Sequence, residues 1–583
     1  MWLRLLATNK AWLLGWGLLL LVLVVPRVGA SNLELILEPE NSAVRTNVEA
    51  YLGEVANRNT REMRRYARFA RGEIEKALEA LGYYNYQMEL TVEEGDPARL
   101  RVVVETGEPV MLGYVSIGLV GEALQQPEFT LPSTAQLRRG QPLNHSHYES
   151  AKRHFRNQAL TYGYFSSGFT VQELLIDPEV DIADITLHFD SGPRYRLGPV
   201  SFDHEGKLDE AFLQRFVRFV PGMPYSTQQL AELSRELRES GYFREVLVDA
   251  DPDEVDEDLH VPVEVLVRAR KPRTLNLGLG FSTDIGPRAS AGWVQHWVNP
   301  RGLRRGVDTQ VSEPQQSISG WYEFPLDPPM TDKLRISSSV ENEYFNIQRS
   351  RRYGAAIQWF YRHSNNWERV LSLRGEREEF RVGEDDGATW LTLPGIGYGY
   401  FQGDRRVDPT RGYRLQIDVE GSRQDYFSDV DILQVTFLAR GLTTLWDHHR
   451  FLARFRAGGT ATNEFNRVPA SLRFFAGGDQ SVRGYGYQEL APEGSDGRLI
   501  GGRYLATAGL EYQYAFAERW RWAFFVDAGD AVLEPEDLQE PKVGVGTGIR
   551  WVSPVGPLRL DIAQGLDDDL GGWRIHFTLG PEI

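Results

Sequence analysis

The chain of 583 residues contains no cysteine, which excludes disulfide bridges, thiolate zinc sites and iron–sulfur clusters. Basic residues are in deficit, because 64 Lys and Arg stand against 81 Asp and Glu and give a net charge of −17. A nucleic-acid binder needs a basic surface to neutralise phosphates, so that class is excluded. Long apolar runs are scarce as well. Only residues 11–25 approach the length of a membrane-spanning helix, which excludes a bundle of such helices.

The low mean hydropathy of −0.38 leaves one class of membrane protein open. The strands of a transmembrane β-barrel alternate polar and apolar residues, so their hydropathy averages to modest values. The chain is also longer than one hydrophobic core serves, and several folding units are therefore predicted.

The N-terminus has the pattern of an export signal. Arg4 and Lys10 precede the apolar run 11–25, and the small residues Val28-Gly29-Ala30 follow it. This order predicts a secretory signal peptide over residues 1–30, with an uncleaved membrane anchor as the alternative. Export of a chain without cysteine fits a Gram-negative periplasm or outer membrane, where disulfides are permitted but not required.

Residues 31–270 contain a pattern that occurs three times. An amphipathic helical segment leads into Gly-Tyr-aromatic and then into an alternating strand, with the glycines at Gly82, Gly163 and Gly241. These glycines lie about 80 residues apart, a period that indicates tandem modules. Each module closes with a second strand, over 99–105, 182–189 and 260–267. We therefore predict α+β modules over residues 31–107, 108–191 and 192–270, whose exposed strand edges accept an extended polypeptide.

From residue 271 onward the helical period disappears and short alternating stretches follow one another. Trp520, Trp522 and Phe524 share one strand face, for example, while Arg521 and Asp527 share the other. The pattern predicts an all-β, 16-stranded transmembrane β-barrel over 271–583, with a large soluble β-protein as the alternative. The predicted strands are 273–283, 288–297, 304–313, 316–326, 332–343, 352–363, 367–380, 388–402, 411–422, 430–443, 450–461, 502–515, 519–529, 543–552, 557–565 and 572–580.

The longest connection of this barrel, over 462–501, falls on the outward side if the modules lie in the periplasm. It contains Phe474-Phe475-Ala476-Gly477-Gly478-Asp479-Gln480-Ser481-Val482-Arg483-Gly484-Tyr485. Here the sequence resembles the Omp85 superfamily, whose sixth extracellular loop carries Val-Arg-Gly-Phe/Tyr and folds back into the barrel. The segments 544–550 and 556–561 resemble the closing strands of that superfamily, and 408–412 is a weaker match.

The repeated modules resemble POTRA domains. Three of them before sixteen strands most resemble the TamA-type members of the superfamily. This resemblance implies α+β POTRA repeats followed by the barrel, located in the Gram-negative outer membrane with the N-terminal domains in the periplasm. It also implies that acceptors for the loop arginine lie on lumen faces of the later strands.

The motif arginine needs a partner, because a buried guanidinium left unpaired is strongly destabilising. Among lumen-facing residues after the loop, Asp527 is the best match to the acceptors that the resemblance implies, and Glu511 is second. We therefore predict that Arg483, with Gly484 and Tyr485, anchors the long loop to Asp527 with help from Glu511.

A second predicted site is the seam between the first and last strands. Its residues are Leu275, Asn276, Leu277, Gly278 and Gly280 on the first strand and Phe577 and Gly580 on the last. Glycine weakens strand interiors, and Pro581 donates no ladder hydrogen bond, so pairing across this seam is expected to be poor.

The sequence contains no convergent catalytic groups, and no enzyme activity, cofactor or metal site is predicted. The resemblance implies insertion or secretion of autotransporters and other unfolded β-barrel proteins through the seam and into the lipid bilayer. It also implies a TamB-like inner-membrane-anchored periplasmic partner, while the net charge predicts no nucleic-acid partner. A two-partner-secretion-type pore and a passive porin-like channel are the alternatives.

Overall fold

A computed structural model describes residues 32–345, 348–404, 408–553, 556–567 and 571–579. The predicted signal peptide, 1–30, lies outside the described residues, as does Gly580 of the predicted seam. The chain divides into two compact units, one up to Arg194 and one from Tyr195 onward. Among the described residues, no helix is both long enough and apolar enough to cross a bilayer.

The first unit contains two modules, each with a three-stranded sheet. Module 1 consists of β1 (Leu33–Glu38), α1 (Ser42–Leu52), α2 (Thr60–Glu79), β2 (Gln87–Glu93) and β3 (Arg99–Glu105). Module 2 consists of β4 (Met111–Val120), α3 (His145–Tyr162), β5 (Gly168–Asp177) and β6 (Ile182–Asp190). The sheet orders are β1-β3-β2 and β4-β6-β5, and the first strand of each sheet runs parallel to the last.

Local sequence explains where the main helices begin and end. Asn59 caps α2 through a reciprocal pair of hydrogen bonds with Glu62, which satisfies backbone donors at the helix start. Gly163 ends α3 in the left-handed conformation, at φ 78° and ψ 40°. Gly82 and Gly241, the matching glycines of the other modules, also have positive φ values of 87° and 78°. The recurring Gly-Tyr-aromatic segment is thus a turn that needs glycine.

Alternation along the chain predicted two strands per module, and the structure contains three. The additional strands, such as β1 and β4, pair in parallel with the last strand of their module. They precede the helices and are distant in sequence from the strand with which they pair. Their pairing is therefore a tertiary effect that a local pattern does not reveal.

Modules 1 and 2 are joined through the Gly82 turn. The Gly82 carbonyl accepts from the Val110 amide at 2.8 Å, and the His145 amide donates to the Ala80 carbonyl at 3.0 Å. The Tyr84 hydroxyl lies 2.7 Å from Nε2 of His145. Burial lowers the pKa of His145, which favours the neutral imidazole beside that hydroxyl. These bonds fix one module against the next.

The second unit begins with module 3 and continues into the barrel. Module 3 consists of β7 (Arg196–Asp203), α4 (Glu210–Leu213), α5 (Thr227–Glu239), β8 (Phe243–Asp249) and β9 (His260–Ala269), with sheet order β7-β9-β8. The Tyr242 hydroxyl donates to the Gly302 carbonyl at 2.6 Å, and Arg215 donates to the Pro325 carbonyl at 3.0 Å. Both acceptors lie at one end of the barrel, Gly302 in a connection and Pro325 as the last residue of a strand. We call this end the module end and the opposite end the far end.

Sixteen antiparallel strands form a closed barrel, so the predicted architecture and strand number are confirmed. Outer faces are apolar and inner faces polar. Trp522 and Phe524, for instance, are exposed on the outside, while Asp527 is buried inside. The strands are β10 (Arg273–Ser282), β11 (Gly286–Gln295), β12 (Arg304–Ser312), β13 (Gln315–Pro325), β14 (Asp332–Phe345), β15 (Gln348–Arg362), β16 (Glu368–Val382), β17 (Asp385–Gly403), β18 (Arg411–Ser422), β19 (Ile432–Leu445), β20 (His449–Thr462), β21 (Tyr504–Ala517), β22 (Trp520–Val532), β23 (Lys542–Ser553), β24 (Gly556–Gly565) and β25 (Trp573–Leu579).

The joint between modules 1 and 2 gives a testable prediction at Gly82. A Cβ there would lie 2.5 Å from the Leu143 carbonyl oxygen, and the φ of 87° disfavours any side chain. Gly82→Val should therefore destabilise the joint by about 1–3 kcal/mol. Limited proteolysis of the full chain should then cleave the segment between β3 and β4 faster.

Gly72→Ala is the matched control, because residue 72 lies inside α2 and an added Cβ meets nothing within 4 Å. This change should raise stability by up to about 1 kcal/mol through helix propensity. Equal cleavage of the two variants would show that Gly82 does not hold the joint.

Candidate functional site

The long loop, residues 463–503, connects β20 to β21 at the far end and turns back to contact the inner wall. Three of its glycines, Gly477, Gly478 and Gly484, have φ values of 96–97°, which side chains rarely adopt. At Gly484 the backbone also lies against the wall, because an added Cβ would be 2.5 Å from the Gly565 nitrogen. The glycine of the motif is thus required both for the turn and for the close approach.

Arg483 is buried in this loop and contacts three carboxylates. Its Nε donates to Asp527 Oδ2 at 2.6 Å, and its Nη1 donates to Glu511 Oε2 at 2.7 Å and to Asp561 Oδ2 at 3.2 Å. The guanidinium also lies over the Phe525 ring, 3.3 Å from its centroid. Burial alone would lower the pKa of Arg483, but the Asp527 and Glu511 carboxylates outweigh it and raise the pKa above its usual range.

Two further arginines balance the charge of these acids. Arg454 donates to Asp527 Oδ1 at 2.8 Å. Arg550 donates to Glu511 Oε1 at 2.8 Å and to Asp561 Oδ1 at 2.5 Å. Three guanidinium groups therefore meet three carboxylates at the inner wall. A fully paired network of this kind avoids the large penalty of a lone buried charge.

Tyr485 occupies a pocket between β23 and β24. Its ring is fully buried, and its hydroxyl donates to the Val543 carbonyl at 3.1 Å and accepts from the Asp567 amide at 3.3 Å. The wall carries glycine where the loop presses on it, because a Cβ on Gly544 would overlap the Arg483 carbonyl and one on Gly565 would lie 2.9 Å from the Tyr485 ring. The glycines of the closing strands thus form the surface that receives the motif.

Of the predicted loop-anchoring residues, Arg483 contacts both Asp527 and Glu511. Gly484 and Tyr485 instead contact His576 and Val543 on neighbouring strands. Sequence reasoning missed Asp561, Arg454 and Arg550, which complete the network. Asp561 alternates with the exposed Leu560 and Ile562 and therefore faces inward, so strand alternation could have identified it. The two arginines required knowledge of which strands lie side by side.

The predicted seam has little direct pairing. β10 pairs with β11 over ten residue pairs, whereas β10 and β25 share one, Ser282 with Thr578. Beyond it, the Thr283 amide donates to the Phe577 carbonyl at 3.1 Å, and the Phe281 and Phe577 rings lie 5.7 Å apart. Among the described residues, residues 273–281 of β10 have no strand partner on the edge that faces β25.

The two faces of β10 differ as alternation predicts. Leu275, Leu277 and Leu279 project outward and are 63%, 76% and 86% exposed. Asn276, Gly278 and Gly280 occupy the opposite parity, where a Cβ on Gly278 would lie 2.5 Å from Ser290 Oγ and one on Gly280 2.7 Å from Arg288 Nε. Side chains of β11 therefore cover the lumen face of β10, and the glycines make room for them.

The long loop contacts both sides of the seam at the far end. The Asp479 amide donates to Asp284 Oδ2 in the β10–β11 turn at 2.6 Å. On the β25 side, the Gly484 amide donates to His576 Nε2 at 3.1 Å, and Arg574 pairs with Glu489 at 2.8 Å. A cavity of about 480 Å³ lies among these groups. The loop thus supplies polar contacts where the two strands supply few.

Burial, together with the neighbouring Asp479 carboxylate, raises the pKa of Asp284 to about 7. Asp284 belongs to the β10–β11 turn, outside the strands. The contact between turn and loop therefore changes charge near neutral pH.

Comparison with known protein families yields three matches. Residues 276–583 match the Omp85 superfamily domain. Residues 34–106 match the family described as POTRA domain TamA domain 1, and residues 195–270 match the POTRA family described as surface antigen variable number repeat. The first match covers more than half of the chain and includes the barrel, the long loop and the closing strands.

Two curated proteins are similar over much of the chain. The outer membrane protein assembly factor BamA of Neisseria meningitidis serogroup B is 23% identical, over 86% of this chain and 70% of its own length. The protein of the same name from Nitratidesulfovibrio vulgaris is 22% identical, over 69% of this chain and 53% of its own length. The chain thus spans only part of each of these relatives.

A solved structure shares the fold. The crystal structure of BamA from Haemophilus ducreyi lacking POTRA domains 1–3 superposes with a TM-score of 0.64 at 18% sequence identity. The alignment covers 81% of this chain and 99% of that one.

The Arg483 network predicts the effect of Asp527→Asn. The change removes one of three carboxylates and leaves Arg454 and Arg483 without a shared anion, at a cost of about 3–5 kcal/mol. The long loop should leave the wall, and protease should cut between residues 474 and 490 much faster than in the unmodified chain.

Asp496→Asn is the matched control, because Asp496 pairs with the exposed Arg498 of the same loop. That pair is worth less than about 1 kcal/mol, so cleavage should not change. Unchanged protection in Asp527→Asn would argue against the anchoring role.

The contact between Asp284 and the long loop is predicted to depend on pH. The pKa of Asp284 is raised from 3.8 to about 7, so the folded state favours the protonated form. The resulting stability is fully present below pH 3.8 and is lost as the pH rises through about 7. Cleavage of the loop, normalised to an unstructured peptide, should therefore accelerate over this range. Asp284→Asn should abolish that acceleration and Asp496→Asn should retain it; an unaltered pH profile in Asp284→Asn would assign the effect to another group.

Proposed function

Since this chain belongs to the Omp85 superfamily, we propose that it is an outer-membrane factor that inserts or secretes other β-barrel proteins through the seam between β10 and β25. The modules extend into the periplasm and the barrel lies in the outer membrane. The chain acts on unfolded outer-membrane proteins as a binding and templating device rather than as an enzyme.

Among the described residues β10 and β25 share a single register pair, and this observation carries the proposal. A strand with free backbone donors and acceptors is a template for another strand. In hydrocarbon each unsatisfied backbone group costs several kcal/mol, so a substrate strand must pair before it enters lipid. The free edge of β10 supplies such pairing at the barrel wall, where a paired strand moves directly into the bilayer.

A finer proposal concerns the branch of the superfamily. Three modules precede the barrel, and the first matches a POTRA domain of TamA type. These features support a TamA-type role, in which autotransporters are among the substrates and a TamB-like inner-membrane-anchored protein meets the periplasmic modules. The two curated relatives described above are named BamA, and the BamA role in general outer-membrane protein assembly is the competing assignment.

The two channel functions receive less support from the geometry. A secretion pore or a porin needs a lumen that is open from end to end, and here buried residues of the long loop, among them Val482 and Tyr485, pack against the inner wall toward the far end. A porin also has no use for three repeated modules.

A disulfide across the seam tests the proposal. Cross-strand Cα atoms of antiparallel pairs lie about 4.5–5.5 Å apart, within the range of a disulfide. Ser282→Cys with Thr578→Cys places the bond at the one observed pair, and the chain has no other cysteine. Insertion of a β-barrel substrate into proteoliposomes should stop after oxidation and resume after reduction.

The matched control staples β13 to β14 through Ser319→Cys and Ser339→Cys, which are opposite each other inside an intact hairpin away from the seam. That disulfide joins strands that do not separate, so insertion should continue. Full activity of the oxidised Ser282/Thr578 variant would contradict lateral opening.

Photocrosslinking tests substrate contact directly. A crosslinking residue at Leu277 should capture a barrel substrate during its assembly, whereas one at Leu510, equally lipid-facing but on β21, should not. Capture at both positions would indicate nonspecific adhesion to the barrel exterior. Capture of autotransporters alone would favour the TamA-type role, and capture of diverse barrels the BamA role.

A further inference from the structure

Three arginines lie side by side on the inner wall of the barrel. Arg440 of β19 is directly opposite Arg414 of β18 and Arg454 of β20. The sequence neighbours of these arginines, such as Tyr413 and Phe455, are exposed on the outer face, so the arginines face the lumen. Because adjacent strands lie about 4.8 Å apart, the row forms a short cationic ladder.

The charge of this row is only partly compensated. Arg454 binds Asp527, but Arg483 uses the same carboxylate, and Arg414 donates to the neutral amide of Gln416 at 3.0 Å. Within the part of the chain that the structure describes, Arg440 makes no hydrogen bond and no ion pair. Its direct cross-strand neighbours on both sides, Arg414 and Arg454, carry the same charge.

Like charges in directly opposite positions destabilise a sheet. The nearby Arg483 network shows what this barrel does where arginines are structural, since there each guanidinium has a carboxylate. Arg440 departs from that rule inside the same lumen. Its position fits a site that is completed by an anion from outside the chain.

Access to the row is from the module end. A cavity of about 1230 Å³ is lined by Arg414 and the inward-facing Phe401 together with carboxylates such as Glu323 and Asp418, and it extends to Ser240 and Tyr242 of module 3. The barrel wall separates the row from lipid, and Arg414 is the member of the row that lines this cavity. The size of the cavity exceeds that of ordinary small-molecule pockets and suits an extended polypeptide.

We propose that Arg414, Arg440 and Arg454 bind a carboxylate-rich segment of a polypeptide that enters the lumen from the module end. Guanidinium groups bind carboxylates through paired, charge-assisted hydrogen bonds, and Phe401 offers an apolar contact beside them. The inference rests on the proposed function in one respect, namely that the chain handles unfolded polypeptides. It adds a lumenal site for acidic segments, separate from the seam that pairs strands.

Binding of a fluorescein-labelled oligo-glutamate peptide to the full chain in lipid nanodiscs, followed by anisotropy, tests this site. Arg440→Gln should weaken binding about tenfold or more, because it removes charge-assisted hydrogen bonds. Arg440→Lys should retain part of the affinity. Oligo-glutamine should bind neither the unmodified chain nor the variants, and binding of oligo-glutamate should weaken as salt rises.

Arg377→Gln is the matched control. Arg377 lies on the outer face of β16, pairs with Glu379 at 3.2 Å and carries the same charge as Arg440. This variant should bind the peptide as the unmodified chain does. In addition, Arg440→Gln without peptide should unfold at a higher temperature than the unmodified chain, because a like-charge neighbour is removed. A purely structural arginine would give the opposite shift.

Equal peptide affinity in Arg440→Gln and the unmodified chain would overturn the proposal, as would an equal loss in Arg377→Gln. Arg440-dependent binding of tripolyphosphate or of lipid A micelles, without binding of oligo-glutamate, would also overturn the proposal. The ligand of the row would then be a phosphate group and not a peptide carboxylate. The oxidised Ser282/Thr578 variant separates this site from the seam. If the oxidised variant still binds the peptide, the lumenal site is supported, whatever happens to substrate insertion. If the oxidised variant still inserts substrate, the proposed opening of the seam is contradicted.

Discussion

Backbone hydrogen bonding is the constraint on which the rest of this structure depends. Hydrocarbon offers no partner for an amide or a carbonyl, so a strand crosses a bilayer only when both of its edges are satisfied. Among the described residues, fifteen of the sixteen strand junctions in the barrel are ladders of seven or more residue pairs, and the junction of β10 with β25 has one pair. The free edge of β10 is costly in a bilayer, and that cost is relieved when another strand pairs with it.

The Arg483 network explains how a barrel with such a seam remains folded. The long loop connects β20 and β21, yet its contacts reach β22, β23, β24, β25 and the β10–β11 turn. Much of the polar contact near the seam therefore passes through the loop rather than through a ladder. Side-chain contacts of this kind are released and remade more readily than a continuous ladder. We propose that a seam held in this way parts without loss of the remaining wall.

Much of this architecture could be predicted from the sequence because strand alternation is a local signal. Alternation alone predicts that Trp520, Trp522 and Phe524 face outward and that Asp527 faces inward. The pairing of Arg483 with Asp527 and Glu511 needed parity together with a family resemblance. Arg454 and Asp284 could not be assigned in the same way, because strand register and the path of the loop decide which residues meet. The parallel strands β1, β4 and β7 were missed for a similar reason, since their partners are distant in sequence. The arginine row on β18, β19 and β20 likewise becomes visible only through register.

Residue-resolved hydrogen exchange of β10 in lipid nanodiscs is the most direct test of the central claim. Amides of residues 273–281 that point toward β11 should be protected, and the alternating amides that point toward the seam should exchange orders of magnitude faster. Uniform slow exchange along the whole of β10, equal to that of an interior strand such as β16, would contradict a weakly paired seam and with it the proposed route into the membrane.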